Sequence, residues 1–217
     1  MAGILTTIGC SRNSSDTQNT TAINGANGEL AKSKTDGKSS EQAKSNFNLT
    51  HPEVVVETSL GKITVRLDAE KSPLTVDNFM AYVESGLYDQ TIFHQAYKNQ
   101  GVMAGGYTVS LTEIPARTPV RNEAHNGLKN LRGTIAMVRL PDAIDSATSQ
   151  FFINVADNPV LDHRDRTPEE YGYCVFGEVI SGMEVVDMIA GAQVQDTDKF
   201  DQTPVQPVVV KSIRRTK

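Results

Sequence analysis

Apolar and polar residues alternate from Val54 onward. Val54, Val56 and Thr58 share one face of a strand. Ile63, Val65 and Leu67 alternate with Lys62, Thr64 and Arg66 on a second, and Ser59-Leu60-Gly61-Lys62 between them reads as a turn. Ser72-Pro73 opens a helix, with Ser as the cap and Pro in the first turn. Val76, Phe79, Met80 and Val83 form its apolar face and Gly86 ends it. Further strands are predicted near Thr91–Tyr97, Val102–Ala104, Gly133–Arg139, Gln150–Ala156, Tyr173–Ile180 and Pro207–Arg214, with a second helix over Met183–Ile189. Short strands in two groups, each with a helix, predict a mainly β protein: a closed antiparallel barrel capped by two helices.

Before Thr50 the pattern is different. Residues 11–50 are rich in Ser, Thr, Asn, Gly and Lys and hold few large apolar side chains. They cannot bury enough surface to offset their ordering entropy, so a disordered tether is expected. A flexible coil of roughly 40 residues spans about 35 Å root-mean-square. Ahead of it, residues 1–10 read MAGILTTIGC, an apolar signal remnant in which Thr7-Ile8-Gly9-Cys10 resembles a bacterial lipoprotein box. Cys10 is then the lipidation site and the chain is expected on the periplasmic side of a bacterial cell envelope. No basic residue precedes the apolar run, so the true start of translation stays open, as does a frayed terminus without meaning. The organised unit is expected over residues 51–217.

Composition narrows the function. The chain has 217 residues, enough for one well-buried core, and a formal net charge of −5, which argues against a nucleic-acid surface. No apolar run reaches the length of a membrane-spanning helix. Cys10 and Cys174 stand far apart in no metal-type spacing, and the four histidines form no HExxH motif, so neither a disulfide framework nor a metal is expected. Gly105-Gly106 reads as a bend, since no helix start follows it to cradle phosphate.

Several stretches together carry a family likeness. ETSLGKITVRLD (Glu57–Asp68), SPLTVDNFMAYVESGLYDQTIFH (Ser72–His94), NEAHNGLKNLRGTIAMVR (Asn122–Arg139), SATSQFFINVADNPVLDH (Ser146–His163) and YGYCVFGEVISGMEVVDMI (Tyr171–Ile189) resemble, in this order, the cyclophilins, and among them the bacterial periplasmic branch. The resemblance covers nearly all of Val54–Arg214. It implies an eight-stranded barrel with a filled interior and a peptide groove on its outside, cis-trans isomerisation of X–Pro bonds, and no cofactor. Partners would be proline-containing segments of unfolded or exported proteins, met by a monomer.

The resemblance also assigns roles. Phe152 would floor the proline pocket and Leu161 line a wall. Tyr173 falls where bacterial members carry Tyr. Gln150 would hydrogen-bond the substrate backbone, and Val138 and Arg139 would flank the residue before proline. From alternation alone, either Phe151 or Phe152 belongs to the core. The other half of the signature departs from the family. Gln95 follows Phe93-His94 where Arg is usual, Gln100 and Gly101 stand where Phe-Met is expected, and Met103 replaces Gln.

The departures bear on chemistry. The X–Pro amide is held planar by resonance with a barrier of ~18–20 kcal/mol. A donor aimed at the prolyl nitrogen favours the twisted amide, so catalysis is differential binding of that state. Gln95 offers only an uncharged donor, and charge-assisted hydrogen bonds are roughly twice as strong. Loss of one preorganised donor costs about 2.7–4 kcal/mol. Met103 can fill part of the missing wall, and Arg139 or Arg121 could supply a cation from the facing side. A weak isomerase is therefore expected, with a non-catalytic proline-peptide binding or chaperone module as the alternative. Val160 lies where strong cyclosporin binders carry Trp, which implies poor cyclosporin affinity. His94 reads as a satisfied structural histidine, and the charged loop around His163–Glu170 as a solvated surface.

Overall fold

The computed structural model describes residues 50–216. The expected signal remnant with Cys10, and all of the expected tether except Thr50, lie outside the described residues. Among the described residues no helix is long and apolar enough to cross a membrane.

Strands β1 (Glu53–Thr58) and β2 (Lys62–Leu67) form the expected hairpin, with Val54 opposite Val65 and Val56 opposite Ile63. These four side chains are fully buried, and Lys62 and Arg66 are exposed on the other face. The turn is closed by the Thr58 hydroxyl, which donates to the Gly61 carbonyl at 2.8 Å and accepts the Leu60 and Gly61 N–H groups. Gly61 has φ +146°, and a Cβ there would lie 2.8 Å from Val185. Only glycine allows both that backbone and that approach.

Helix α1 (Pro73–Glu84) follows, then β3 (Thr91–Phe93), β4 (Gln95–Tyr97), β5 (Gly101–Ala104), β6 (Thr134–Met137), β7 (Phe151–Asn154), β8 (Val175–Ser181), helix α2 (Met183–Ala190), the short pair β9 (Val194–Gln195) and β10 (Thr203–Pro204), and β11 (Val208–Arg215). The main sheet has nine strands in the order β3-β11-β1-β2-β8-β6-β7-β5-β4. Its edge strands β3 and β4 are consecutive in the chain, separated only by His94. The His94 N–H still bonds the Met103 carbonyl at 3.0 Å and the Ile92 N–H the Tyr107 carbonyl at 2.9 Å, so the sheet all but closes through this run. Counting β3 and β4 as one broken strand, 9 − 1, gives the expected eight-stranded barrel. The predicted single strand Thr91–Tyr97 is thus corrected to two.

The interior is aromatic at the end covered by α1. Phe79 on α1 lies 5.2 Å from Tyr88, 5.6 Å from Phe151 and 5.2 Å from Phe176 between ring centroids. Val185, Val186 and Ile189 of α2 are buried in the same core cluster. Each such side chain contributes about 1.5–3 kcal/mol by leaving water.

Ser72 does not cap α1, contrary to expectation. Its hydroxyl donates instead to the Val175 carbonyl at 2.9 Å. The Glu123 carboxylate takes over the helix start, accepting the Thr75 N–H at 2.9 Å and its hydroxyl at 2.7 Å. A negative charge there also suits the helix dipole. The pair β9–β10 had no signal in the alternation, because each strand is only two residues long.

Candidate active site

The outer face of the barrel wall carries one row of facing residues. Gln95 on β4 is opposite Met103 on β5, Met103 is opposite Phe152 on β7, Phe152 is opposite Ala136 on β6, and Ala136 is opposite Val175 on β8. Side chains alternate along a strand, so Phe151 and Ile153 point to the core while Phe152 points outward. Met103, Ala136, Val138, Phe152, Leu161 and Val175 form a second apolar cluster, separate from the core, with Tyr97, Leu128 and Tyr173 packed against it. Phe152 and Leu161 are each 5% exposed and Met103 6%.

Loops complete the cluster. Leu161 ends a 3-10 turn, Pro159–Leu161, and its carbonyl accepts the Tyr173 N–H at 2.9 Å and the Asn130 side-chain amide at 3.1 Å. Gly172, at φ +79°, brings the two loops together; a Cβ there would sit 2.5 Å from the His163 nitrogen. Tyr173 meets Phe152 edge-on at 5.8 Å. Burial raises the Tyr173 phenol pKa, opposed in part by the charge of Arg139.

Arg139 lies 5.1 Å from the Tyr173 ring centroid and is 4% exposed. Its guanidinium donates to the carbonyls of Gly172, Leu140 and Pro141, each at 2.9 Å, and to that of Pro168. It therefore braces Tyr173 and the charged loop. The loop itself is closed by an Arg164–Glu170 ion pair at 3.0 Å. Arg121 is exposed beside the Val120–Ala147 bridge. Val138 donates its N–H to the Gln150 carbonyl at 2.9 Å. Gln150 is half-buried, and its side chain lies against Gly106, where a Cβ would be 2.6 Å away.

Gln100 and Gly101 supply backbone rather than walls. The Gln100 carbonyl accepts the Val155 N–H at 3.0 Å and the Asn158 amide at 2.9 Å. A Cβ on Gly101 would lie 2.7 Å from the Ile153 carbonyl oxygen. Gln95 is 2% exposed. Its Nε2 donates to Asp201 Oδ1 at 2.7 Å and to Tyr97 Oη at 2.8 Å, while Tyr97 Oη donates to Asp201 Oδ1 at 2.8 Å. Burial, then the Asp201 carboxylate, push the Tyr97 phenol pKa far up.

His94 is buried but not satisfied as expected. Neither ring nitrogen makes a hydrogen bond of good geometry. Its ring packs against Tyr107 at 5.0 Å and Phe200 at 4.9 Å. Burial lowers its pKa to about 4, with the Ile92 backbone and the Gln150 side chain opposing in part.

Sequence reasoning missed Tyr97, Ala136, Leu128, Val175 and Asp201. Alternation could have found Tyr97, two residues from Gln95, and Ala136, two from Val138. Asp201 gave no signal, since only the closed barrel brings it to Gln95. Leu128 and Val175 also line a neighbouring open cavity of about 560 Å³, rimmed by Asp68, Lys129 and the Arg66–Glu178 ion pair.

A barrel with two capping helices and an apolar cluster on its outer face defines the class. Residues 53–215 match the family described as cyclophilin type peptidyl-prolyl cis-trans isomerase/CLD. The chain is 46% identical over 165 residues to peptidyl-prolyl cis-trans isomerase A of Dickeya dadantii (strain 3937), covering 76% of this chain and 85% of that protein. It is 40% identical over 160 residues to isomerase B of Escherichia coli K12, covering 74% and 97%. Among solved structures, a Cryptosporidium parvum cyclophilin crystallised in the presence of the dipeptide Ala-Pro shares the fold, with a TM-score of 0.63, 23% identity and coverage of 76% and 99%. The chain belongs to the cyclophilin-type peptidyl-prolyl cis-trans isomerases.

Proposed function

We infer that this isomerase turns over proline peptides slowly for its family, and that it assists the folding of exported proteins in a bacterial cell envelope, anchored through a lipid on Cys10. The proline ring rests on Phe152, between Leu161 and Met103, with Tyr173 at the rim, and Gln150 grips the peptide backbone. The observation that carries the low rate is the pairing of Gln95 with Met103 at the end of the row, where relatives in the resemblance place a guanidinium. Arg139 is no substitute, because its donors are spent on the carbonyls of Gly172, Leu140, Pro141 and Pro168. An uncharged donor forgoes about 2.7–4 kcal/mol of transition-state stabilisation, or roughly 10²–10³ in rate.

A protease-coupled assay on an Ala-Pro peptide tests this; a rate equal to that of a typical cyclophilin would overturn it. The second reading, a binding module without turnover, is favoured by Gln100 and Gly101, which leave the proline pocket without side-chain walls on that side. Peptide titration followed by nuclear magnetic resonance separates the two, since both require shifts at Phe152 and Leu161 but only the first requires cis-trans exchange. Fractionation of a Cys10→Ala variant tests the anchor; unchanged membrane association would remove it.

A further inference from the structure

Resting on that reading, we propose that Asp201 is a positioning residue of the isomerase site, holding the Gln95 amide away from the groove and so setting the turnover. Strand β4 has the groove on one side, where Gln95 faces Met103. On its other side runs the segment 196–202, whose Gln202 carbonyl accepts the Ala96 N–H at 2.9 Å. The Gln95 amide reaches Asp201 on that second side and Tyr97 on its own strand.

Both amide hydrogens are used. One goes to Asp201, to Oδ1 at 2.7 Å and more weakly to the main-chain carbonyl at 3.3 Å, and one to Tyr97 Oη at 2.8 Å. The Tyr97 proton goes to Asp201 Oδ1, which leaves Tyr97 free to accept from Gln95. A flipped amide would set its carbonyl oxygen against the carboxylate, so the orientation is fixed by charge. Gln95 must break one of these bonds before it can donate to a prolyl nitrogen.

The segment is itself anchored. Phe200 is 7% exposed and sits 4.9 Å from the His94 ring and 4.7 Å from the Tyr107 ring. The Phe200 N–H bonds the Thr197 hydroxyl at 3.0 Å, and the Gln202 N–H bonds Asp196 at 3.1 Å. Asp201 is therefore delivered by a packed turn rather than a loose one.

The test is kcat/KM for an Ala-Pro peptide in the full chain. Asp201→Ala is expected to raise kcat/KM about tenfold, the scale of releasing one hydrogen bond to a charged group, with KM changed less than twofold. The gain must vanish in the Gln95→Ala, Asp201→Ala double variant. Tyr97→Phe keeps the segment and its carboxylate while removing one acceptor, and is expected to give a smaller rise. The Gln95 side-chain amide resonances should move in both single variants. An unchanged or lower rate in Asp201→Ala and Tyr97→Phe overturns the proposal. Peptide-induced shifts at Phe152 in the unmodified chain report on the groove separately: if they persist while the variants gain nothing, only the role of Asp201 fails.

Discussion

Phe151 and Phe152 are consecutive in β7 yet belong to opposite sides of the barrel wall. Phe151 is fully buried and meets Phe79 and Tyr88 edge-on at 5.6 Å inside the core. Phe152 joins the outer cluster and faces Tyr173. The pleat of one strand thus ties the core of the fold to the outer apolar cluster.

The two truncations should separate accordingly. Phe151→Ala opens a cavity among large rings and is expected to cost about 3–5 kcal/mol. Phe152→Ala, in a smaller cluster at the surface, should cost less than Phe151→Ala but abolish proline-peptide binding. Urea unfolding and peptide titration check the pair; equal stability losses with binding intact in Phe152→Ala would contradict the assignment of faces.

Restoring the missing cation needs two changes. An arginine at position 95 meets the Asp201 carboxylate, which now lies 2.7 Å from the Gln95 amide. An ion pair there holds the guanidinium on the wrong side of β4. Gln95→Arg is expected to gain less than tenfold in kcat/KM, and Gln95→Arg with Asp201→Ala at least tenfold more than that single variant. A gain of less than tenfold over Gln95→Arg would show that the pocket, not the donor, limits the rate. Gly101→Met is no remedy, because its Cβ would meet the Ile153 carbonyl oxygen.

Much of this was legible in the chain. Alternation marks β1 and β2 because one face of each is buried; both faces of β7 are buried, so alternation alone left Phe151 and Phe152 interchangeable. The helices announce themselves through Pro73 and through apolar spacing. Phe152, Leu161, Tyr173 and Met103 lie together in one apolar cluster on the outer face. What stayed hidden depends on closure. His94 splits a strand whose residues 91–97 show no break in pattern. Ser72 has the composition of a cap, but Glu123, distant in sequence, competes for the role with a charge. Asp201 reaches Gln95 only through a turn anchored by Phe200.

Val160 is 59% exposed on the Pro159–Leu161 turn, next to Leu161 of the outer cluster. It offers little surface for a bulky apolar ligand to stack on. Cyclosporin is expected to bind weakly, and Val160→Trp to tighten it at least tenfold by adding a large aromatic face. Isothermal titration calorimetry of both proteins checks this; sub-micromolar binding by the unmodified chain would refute it.

Cys174 should be inert while the protein is folded. It is 3% exposed, and burial pushes its thiol up to about 11, against the hydrogen bonds it makes with Thr75 and Ser72. The thiolate is the reactive form, and at pH 7 it is present on the order of 10⁻⁴. In a Cys10→Ser variant, a thiol reagent should react only after denaturant is added. Rapid reaction of the native protein would mean that the region before β8 opens easily.

His94 gives the fold a dependence on pH that can be isolated. Its ring sits in a fully buried aromatic pocket between Tyr107 and Phe200. Burial favours the neutral form and lowers its pKa from 6.5 to about 4. Between those values the unfolded chain binds a proton that the folded chain refuses, so stability falls as the pH drops. Above pH 6.5 both states are neutral and below about pH 4 both are charged, so the effect is confined to that window. Its full size is about 3 kcal/mol, at 1.36 kcal/mol per unit. His94→Phe keeps a ring against Tyr107 and Phe200 and removes the titration. Subtracting the variant's unfolding free energies from those of the unmodified chain cancels every other titrating group. The difference should be flat above pH 6.5 and should move against the histidine protein as the pH falls to 4. A difference that does not change across this range would mean that His94 is solvated and charged like any surface histidine, and that the β3–β4 break is open to water.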